Sequence, residues 1–314
     1  MDYCVALFLA MTGNCGYTSN MNFLEKHIIS DTQSGTHKVV YLDWGDRHAP
    51  PIVCVHGLTG NARDFDYLAE HLVKRGYRVI AVTLPGRGNS DFLSDPLDYN
   101  YSQYIKDIFG VLKAEDLDQA GSIDWIGISL GGLLGIQIAG MDNTPVKRLI
   151  INDVGPVVPK AALDFIHKVI KEPYYFEDVA ALEKRMRATR GLTWGPVTNE
   201  QWEHMATHNH KVIKDADGQS RVTYAYDPKI SVVFEDAPIG DVDLWEMWAK
   251  ITCPILVIHG KKSQLLTKKI IKVMHKTGIA FDLITLKKCG HAPSLMAPSQ
   301  IEMIEEWLKE PSSA

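Results

Sequence analysis

One serine near the middle of the chain has neighbours that could make it a nucleophile. Residues 122–134 read as a β-rich run, then Gly127-Ile128-Ser129-Leu130-Gly131, then an apolar segment with helical spacing. Glycines on both sides let a strand turn tightly into a helix, which lifts the serine hydroxyl clear of the sheet. The unpaired N–H groups and the positive dipole end of that helix favour negative charge there. Gly-x-Ser-x-Gly alone is a weak motif, so the rest of the chain must supply the partners of this serine.

Size and charge limit the classes of protein to which this serine can belong. The chain has 314 residues, 46% of them hydrophobic and 23% charged, which fits one large globular domain with or without an insertion. The net charge of -5 gives no electrostatic basis for binding nucleic acid or an acidic membrane surface. Five scattered cysteines without C-x-x-C spacing favour a reducing compartment. We therefore expect a cytoplasmic protein with no metal and no cofactor.

The N-terminal residues are apolar without forming a membrane span. Residues 5–11 are hydrophobic, but this run is too short to cross a bilayer, and Asp2 stands before it where a signal peptide has basic residues. We expect residues 1–21 to form a loose arm and the chain to have no stable membrane insertion, with a signal peptide as the less favoured interpretation.

Apolar runs separated by turn signals predict a mostly parallel sheet flanked by helices. The predicted strands are 26–30, 38–44, 51–55, 77–82, 122–128, 146–152, 254–260 and 281–286, and the predicted helices include 62–74, 101–112 and 300–308. Two strands in a hairpin and then strand–helix repeats indicate a doubly wound α/β sheet with an antiparallel start. From 154 to 241 the strand signal fades, and helix formers with Tyr, Trp and His predominate. We therefore predict a core of residues 22–153 and 242–314 with an inserted helical lid at 154–241.

Three motifs on these elements resemble those of the α/β-hydrolase superfamily. They are His56-Gly57 after a buried strand, the Gly127–Gly131 motif after another, and Gly290-His291-Ala292-Pro293 after the last strand. The resemblance extends over residues 22–310 and implies an α/β-hydrolase fold with an eight-stranded, mostly parallel sheet. Residues 149–156 and the predicted lid are similar to those of small bacterial esterases and of C–C bond hydrolases that act on aromatic breakdown products.

Position and resemblance together suggest roles for four residues. Ser129 is the expected nucleophile, and His291 is the base that takes the serine proton and returns it to the leaving group. An oxyanion hole needs two preorganised donors near the attacked carbonyl. The resemblance places these donors at the backbone N–H groups of Leu58 and Leu130.

The acid that should complete this set is missing from its usual place. In most of the superfamily it follows the strand that here ends at Gly260, at the position of Gln264, and no Asp or Glu occurs from 260 to 280. A glutamine could orient His291 but could not stabilise the imidazolium, and replacing the acid by an amide in a Ser-His-Asp triad costs on the order of 10⁴ in turnover. The chain is therefore either a weakened enzyme or one that takes its acid from another strand.

Asp153 is our predicted acid. It follows the strand 146–152, and catalytic groups of open α/β sheets gather at the carboxyl edge of the strands. Haloalkane dehalogenases, which belong to the same superfamily, take their acid from the corresponding strand end. The alternatives are that Asp153 only forms the turn into the lid, or that Asp241 or Asp243 at the lid exit supplies the acid.

We expect a serine carboxylesterase that acts on small to medium esters through an acyl-enzyme, with a small-molecule ester as its partner. A C–C hydrolase of vinylogous diketone acids is the alternative enzyme, since Arg185, Arg187 and Arg190 of the lid could meet a substrate carboxylate. A hydrolase-fold sensor with weak turnover is the alternative from another class. The sequence leaves both a monomer and a homodimer open.

Other chemically active side chains of the lid have plainer interpretations. His204, His208 and His210 have no cysteine or carboxylate at metal-ligand spacing, so we expect them on a solvated helix face. The tryptophans Trp194, Trp202, Trp245 and Trp248 are expected to pack the lid against the core.

Overall fold

The computed structural model describes residues 22–215, 217–234 and 241–310, so the arm predicted at residues 1–21 lies outside the described residues. The strands are β1 (Phe23–Thr32), β2 (Gly35–Trp44), β3 (Pro51–Val55), β4 (Arg78–Val82), β5 (Ile123–Ile128), β6 (Val146–Asn152), β7 (Val157–Val158), β8 (His210–Lys214), β9 (Ser220–Tyr224), β10 (Val242–Asp243), β11 (Ile255–Gly260) and β12 (Asp282–Leu286). The helices are α1 (Asp66–Lys74), α2 (Tyr101–Ala114), α3 (Leu130–Ala139), α4 (Lys160–Ile170), α5 (Val179–Arg190), α6 (Asn199–His208), α7 (Trp245–Lys250), α8 (Lys268–Lys276) and α9 (Pro298–Lys309).

Eight of these strands form one sheet in the order β1-β2-β4-β3-β5-β6-β11-β12. The first two strand pairs, β1 with β2 and β2 with β4, are antiparallel, and every later neighbour is parallel. The predicted α/β-hydrolase fold and its antiparallel start are therefore confirmed. The carboxyl ends of β3, β5, β6, β11 and β12 meet at one edge of the sheet, where ligands bind in open α/β folds.

Both faces of the sheet are covered by apolar side chains. Along β3, Val53 and Val55 pack into a cluster that includes residues of α2 and α3, whereas Ile52 and Cys54 pack against α1 and α9. This alternation explains why the central strands are continuous apolar runs in the sequence. The predicted helix at 62–74 is two elements in the structure, a 3-10 turn over Ala62–Phe65 followed by α1.

Residues 154–241, which we call the inserted segment, connect β6 to the elements before β11. In its described part, the inserted segment contains α4, α5, α6 and an antiparallel hairpin of β8 and β9, and the pair β7–β10 closes its base. The helices were expected from the sequence, but the hairpin was not. Strand β8 is too polar and too exposed to give the apolar run from which the other strands were predicted. No helix in the described ranges is long and apolar enough to cross a bilayer.

Two glycines allow β5 to turn directly into α3 against β3. A Cβ added to Gly127 would lie 2.2 Å from the carbonyl oxygen of Gly131, and one added to Gly131 would lie 2.0 Å from that of Val55. Both obstacles are backbone atoms, which cannot move aside as a side chain can. Glycine at these positions is therefore a packing requirement of the turn that carries Ser129.

We predict that Gly131→Ala lowers the free energy of unfolding by about 1–3 kcal/mol, in the range of overpacked cores. Gly57→Ala is the control, because a Cβ at Gly57 would meet no atom closer than 3.7 Å. Urea unfolding followed by circular dichroism measures both variants. If Gly131→Ala were as stable as wild type, the close contact with the Val55 carbonyl would not require glycine at this position.

Candidate active site

Three side chains that are far apart in the sequence form one chain of hydrogen bonds at the carboxyl edge of the sheet. Ser129 Oγ lies 3.0 Å from His291 Nε2, and His291 Nδ1 lies 2.9 Å from Asp153 Oδ2. Ser129 stands between β5 and α3, Asp153 directly follows β6, and His291 follows β12. These are the distances at which an imidazole can take a hydroxyl proton while a carboxylate stabilises its other nitrogen.

Ser129 has a backbone conformation that few residues other than glycine adopt. Its φ is 51° and its ψ is -108°, a sparsely populated region that costs on the order of 1–3 kcal/mol for a residue other than glycine. Its backbone N–H donates to the Asn152 carbonyl at 3.0 Å, and the N–H groups of Gly132 and Leu133 donate to its carbonyl. These bonds hold the serine at the start of α3, so that its hydroxyl faces His291.

Asp153 is a buried carboxylate with both oxygens engaged. It has no solvent exposure, its Oδ1 accepts the Gly260 N–H at 2.7 Å, and its Oδ2 faces His291. Its φ of 60° again lies in the left-handed region. Gln264, at the position where the superfamily usually has its acid, is exposed to solvent. The structure therefore brings together the three residues Ser129, His291 and Asp153, and Gln264 has no hydrogen bond to any of them.

The two alternative acids lie elsewhere and have other contacts. Asp241 Oδ1 accepts the N–H of Lys160 at the start of α4, and Asp243 Oδ1 accepts the N–H of Trp245 at the start of α7. Both aspartates are exposed. Their carboxylates stabilise helix starts and have no hydrogen bond to His291.

The loop that carries His291 is tied down on two sides. From the core, the Asn152 side chain donates to the Pro293 carbonyl at 2.7 Å. From the inserted segment, the Thr193 carbonyl accepts the N–H of Gly290 at 2.8 Å, and the Trp194 carbonyl accepts that of Ser294 at 3.0 Å. The position of the imidazole therefore depends on β6 and on the inserted segment as well as on its own strand.

The two expected oxyanion donors are available. Leu58 follows β3 and Leu130 begins α3, so both lie at the carboxyl edge. Among the residues with described positions, neither backbone N–H donates a hydrogen bond to a protein group. Two unengaged N–H groups, one on the loop after β3 and one at the start of α3, are the type of donor that a tetrahedral intermediate requires.

Two side chains hold the Leu58 loop, and sequence reasoning missed both roles. His56 Nδ1 donates to the Gly57 carbonyl at 2.6 Å, and its Nε2 accepts the Leu84 N–H at 3.0 Å. This hydrogen-bond pattern requires a neutral ring, and burial lowers the pKa of His56 to about 3. The imidazole therefore stays neutral and holds the loop in place. Arg87 donates from Nε to the Leu58 carbonyl at 2.8 Å.

Arg87 is a fully buried cation that contacts no carboxylate in the described chain. Besides Leu58, its guanidinium donates to the Pro85 carbonyl at 2.6 Å and to the Tyr104 hydroxyl at 2.8 Å, and it stacks on the Tyr104 ring at 5.1 Å. The signal in the sequence was an arginine within the Gly/Pro loop that follows a buried strand. A charged side chain there has to find backbone carbonyls, and one of them belongs to the predicted oxyanion loop.

A cavity of about 220 Å³ lies between the oxyanion loop and the inserted segment. Its lining is formed by Thr59, Val169, Ile170, Tyr174, Arg185, Thr189, Arg190, Tyr224 and Tyr226. Thr59 is the residue after Leu58, so the cavity reaches the loop that carries this N–H. A second cavity of about 280 Å³ lies beside α8 and β12, and neither cavity is lined by Ser129, Asp153 or His291.

The arginines of α5 have different surroundings. Arg185 stacks on Tyr174 at 5.3 Å, and Arg190 stacks on Trp194 at 5.1 Å and on Tyr224 at 5.6 Å. Neither is ion-paired within the ranges the structure describes. Arg187 instead pairs with Glu183 at 2.7 Å and lies outside the cavity lining. Two of the three arginines singled out in the sequence therefore face a space that could hold an anion.

Comparison with known proteins agrees with this architecture. A model of the "Alpha/beta hydrolase family" matches residues 52–301. A 3-hydroxybutyrate-oligomer hydrolase from Cupriavidus necator is 32% identical over 286 residues, which cover 87% of this chain and 94% of that protein. A non-heme chloroperoxidase from Burkholderia pyrrocinia is 35% identical over 234 residues, covering 73% of this chain and 80% of its own length.

Solved structures give the same result for the fold. A crystal structure from Rickettsia typhi, described as that of a hydrolase, is 37% identical with a TM-score of 0.80 and covers 93% of this chain and 99% of its own. The sheet order, the positions of the three motifs and these similarities lead to one conclusion: the chain belongs to the α/β-hydrolase family and is a hydrolase.

Proposed function

We propose that this protein is a serine carboxylesterase that hydrolyses short esters bearing a free carboxylate, with oligomers of 3-hydroxy acids as the substrate class. The observation that supports this most is the continuous hydrogen-bond chain from Asp153 through His291 to Ser129. A second observation is that the cavity lined by Arg185 and Arg190 also contacts Thr59, the residue after Leu58. The similar protein from Cupriavidus necator is named a 3-hydroxybutyrate-oligomer hydrolase. Such oligomers contain internal ester bonds and one terminal carboxylate.

The first half of the proposed reaction forms an acyl-enzyme. Ser129 Oγ attacks the ester carbonyl carbon while His291 Nε2 takes the hydroxyl proton. The carbonyl oxygen becomes an oxyanion, which accepts hydrogen bonds from the N–H groups of Leu58 and Leu130. When the intermediate collapses, the C–O bond to the alcohol breaks, and the proton on Nε2 goes to the departing alkoxide.

The second half releases the acid. Water attacks the acyl carbonyl with Nε2 as the base, and Ser129 leaves with the returned proton. In both halves the Asp153 carboxylate accepts the Nδ1–H of His291 and offsets the positive charge on the ring. All of these groups are on the chain itself, so the proposed cycle consumes only ester and water.

The cavity explains why an acidic ester fits better than a neutral one. A guanidinium stacked on aromatic rings keeps its N–H donors free, and carboxylates accept them in pairs. Arg190 lies on two rings, and the described residues place no carboxylate in contact with it. Tyr174, Tyr224 and Tyr226 line the same cavity and shield part of it from solvent, and Arg190 itself is half-buried, so its pairing with a carboxylate is stronger than on an open surface.

A C–C hydrolase of diketone acids remains the second candidate, because the same arginines could bind its substrate carboxylate. The discriminating experiment is a panel of 3-hydroxybutyrate dimer and trimer, p-nitrophenyl esters and a vinylogous diketone acid, with Ser129→Ala as the control. Our proposal predicts turnover of the oligomers. Turnover of the diketone acid alone would assign C–C hydrolysis, and a stoichiometric burst without turnover would indicate a sensor.

Asp153→Asn should lower kcat for p-nitrophenyl butyrate by roughly 10⁴, because the amide cannot stabilise the imidazolium. Gln264→Asp is the matched control and should leave kcat close to that of wild type, since residue 264 is exposed and His291 Nδ1 already faces Asp153. Circular dichroism checks that both variants fold. Near wild-type turnover in Asp153→Asn together with strong activation by Gln264→Asp would remove Asp153 from the proposal.

Arg190→Gln should lower kcat/KM for the 3-hydroxybutyrate dimer by roughly 10–100-fold, as expected from losing hydrogen bonds to a charged group. The methyl ester of the same dimer, which lacks the carboxylate, should lose little. Arg187→Gln is the control on the same helix, because its guanidinium is paired with Glu183. An equal loss on the acid and on its methyl ester would mean that Arg190 does not bind the carboxylate.

Arg87 should behave as a positioning residue for the Leu58 N–H. Arg87→Met is expected to lower kcat for neutral esters by roughly 10–100-fold at nearly constant KM, less than the 100- to 1000-fold typical of losing an oxyanion donor. Arg87→Lys keeps the charge and should recover part of kcat. If both substitutions raise KM and leave kcat unchanged, the Arg87–Leu58 hydrogen bond does not serve catalysis.

A further inference from the structure

A group of metal-binding side chains lies away from Ser129, where α1 of the core meets α6 of the inserted segment. Asp66 is the first residue of α1, and His204 and His208 are one turn apart on α6. One donor atom from each residue can be chosen so that all three lie within 4.8 Å of one another. Histidines at i and i+4 lie on the same face of a helix and can bind one ion together.

The carboxylate of this group has unused acceptor capacity. Asp66 has no solvent exposure, and its Oδ2 lies 3.3 Å from His204 Nε2. Its Oδ1 is buried and has no hydrogen-bond partner among the described residues. A buried carboxylate oxygen without a partner is costly, and such atoms often mark an ion or a water.

Arg63 partly neutralises this carboxylate. Its Nε lies 2.5 Å from Asp66 Oδ2, and its backbone carbonyl lies 3.3 Å from His204 Nε2. A bound ion would share Asp66 with this guanidinium, so its affinity should be lower than that of a closed structural site. The Arg63 side chain is 25% exposed and also stacks on the Phe23 ring at 4.9 Å.

We propose that Asp66, His204 and His208 bind one divalent transition ion, with Zn²⁺ as the best fit. Two imidazole nitrogens and one carboxylate oxygen suit Zn²⁺, water can complete its tetrahedron, and Mg²⁺ prefers all-oxygen ligands. The sequence alone does not suggest this group, because Asp66 lies 138 positions before His204.

The ion would connect the inserted segment to the core. Helix α6 also carries Trp202, which stacks on Trp194 at 5.1 Å, and the Trp194 carbonyl accepts the Ser294 N–H on the loop of His291. Fixing α6 on α1 therefore stabilises the packing on one side of that loop. We expect Zn²⁺ to raise the unfolding temperature.

The test is titration of the full chain, dialysed against EDTA, with ZnCl₂ and separately with MgCl₂, by calorimetry and thermal unfolding. We expect saturable 1:1 Zn²⁺ binding, no Mg²⁺ binding, and at least tenfold weaker Zn²⁺ binding in His208→Ala and in Asp66→Asn. His210→Ala is the control and should bind as wild type does, because its ring faces the Ala206 carbonyl.

Zn²⁺ binding of equal strength in His208→Ala, or none in wild type, would overturn the proposal and leave an ion-paired network around Asp66. Circular dichroism establishes that each variant is folded, and His208→Ala keeps the Arg63–Asp66 pair intact. The Ser129→Ala variant should bind Zn²⁺ as wild type does. The result is therefore independent of whether the chain is an esterase.

Discussion

The burial of one carboxylate, Asp153, is the constraint on which the candidate site depends. An ionised carboxylate without solvent is strongly unfavourable unless each oxygen is hydrogen-bonded. Here the Gly260 N–H and the His291 ring provide the partners. Because Gly260 ends β11 and Asp153 follows β6, the bond requires these strands to be adjacent and parallel, as they are. The geometry at His291 is therefore a consequence of sheet register as well as of loop conformation.

The same edge holds two of the five described non-glycine residues that have a positive φ. Ser129 and Asp153 both have positive φ, and each follows directly on a central strand. The surrounding backbone bonds hold them there, with Ser129 N–H on the Asn152 carbonyl and Asp153 N–H on that of Ile258. Each strand end thus restrains its neighbour, so the conformational cost is offset by the sheet. A turn built alone could not hold a serine in this conformation.

Much of the fold could be predicted from the sequence, because buried parallel strands are short apolar runs and glycine motifs mark where they end. Asp153 was predicted as the acid because no carboxylate follows β11 in the sequence. In the structure the Asp153 side chain contacts His291. What could not be predicted depends on distant partners. Nothing near His204 in the sequence points to Asp66, and nothing in α5 distinguishes Arg190 from Arg187. The β8–β9 hairpin lacked an apolar run by which to recognise it.

The charge of Arg190 in the cavity is partly balanced by Asp64, a carboxylate that is not in contact with Arg190. Burial raises the pKa of Asp64 to about 6, while the Asn209 hydrogen bond and the charge of Arg190 act in the opposite direction. The Asp64 carboxylate and the Arg190 guanidinium attract each other, so Asp64 offsets part of the Arg190 charge without occupying its donors. A cation balanced at a distance is less costly to bury than an isolated one, yet it keeps its N–H groups for a ligand. The proposed preference for an acidic ester depends on these N–H groups of Arg190, which no described carboxylate contacts.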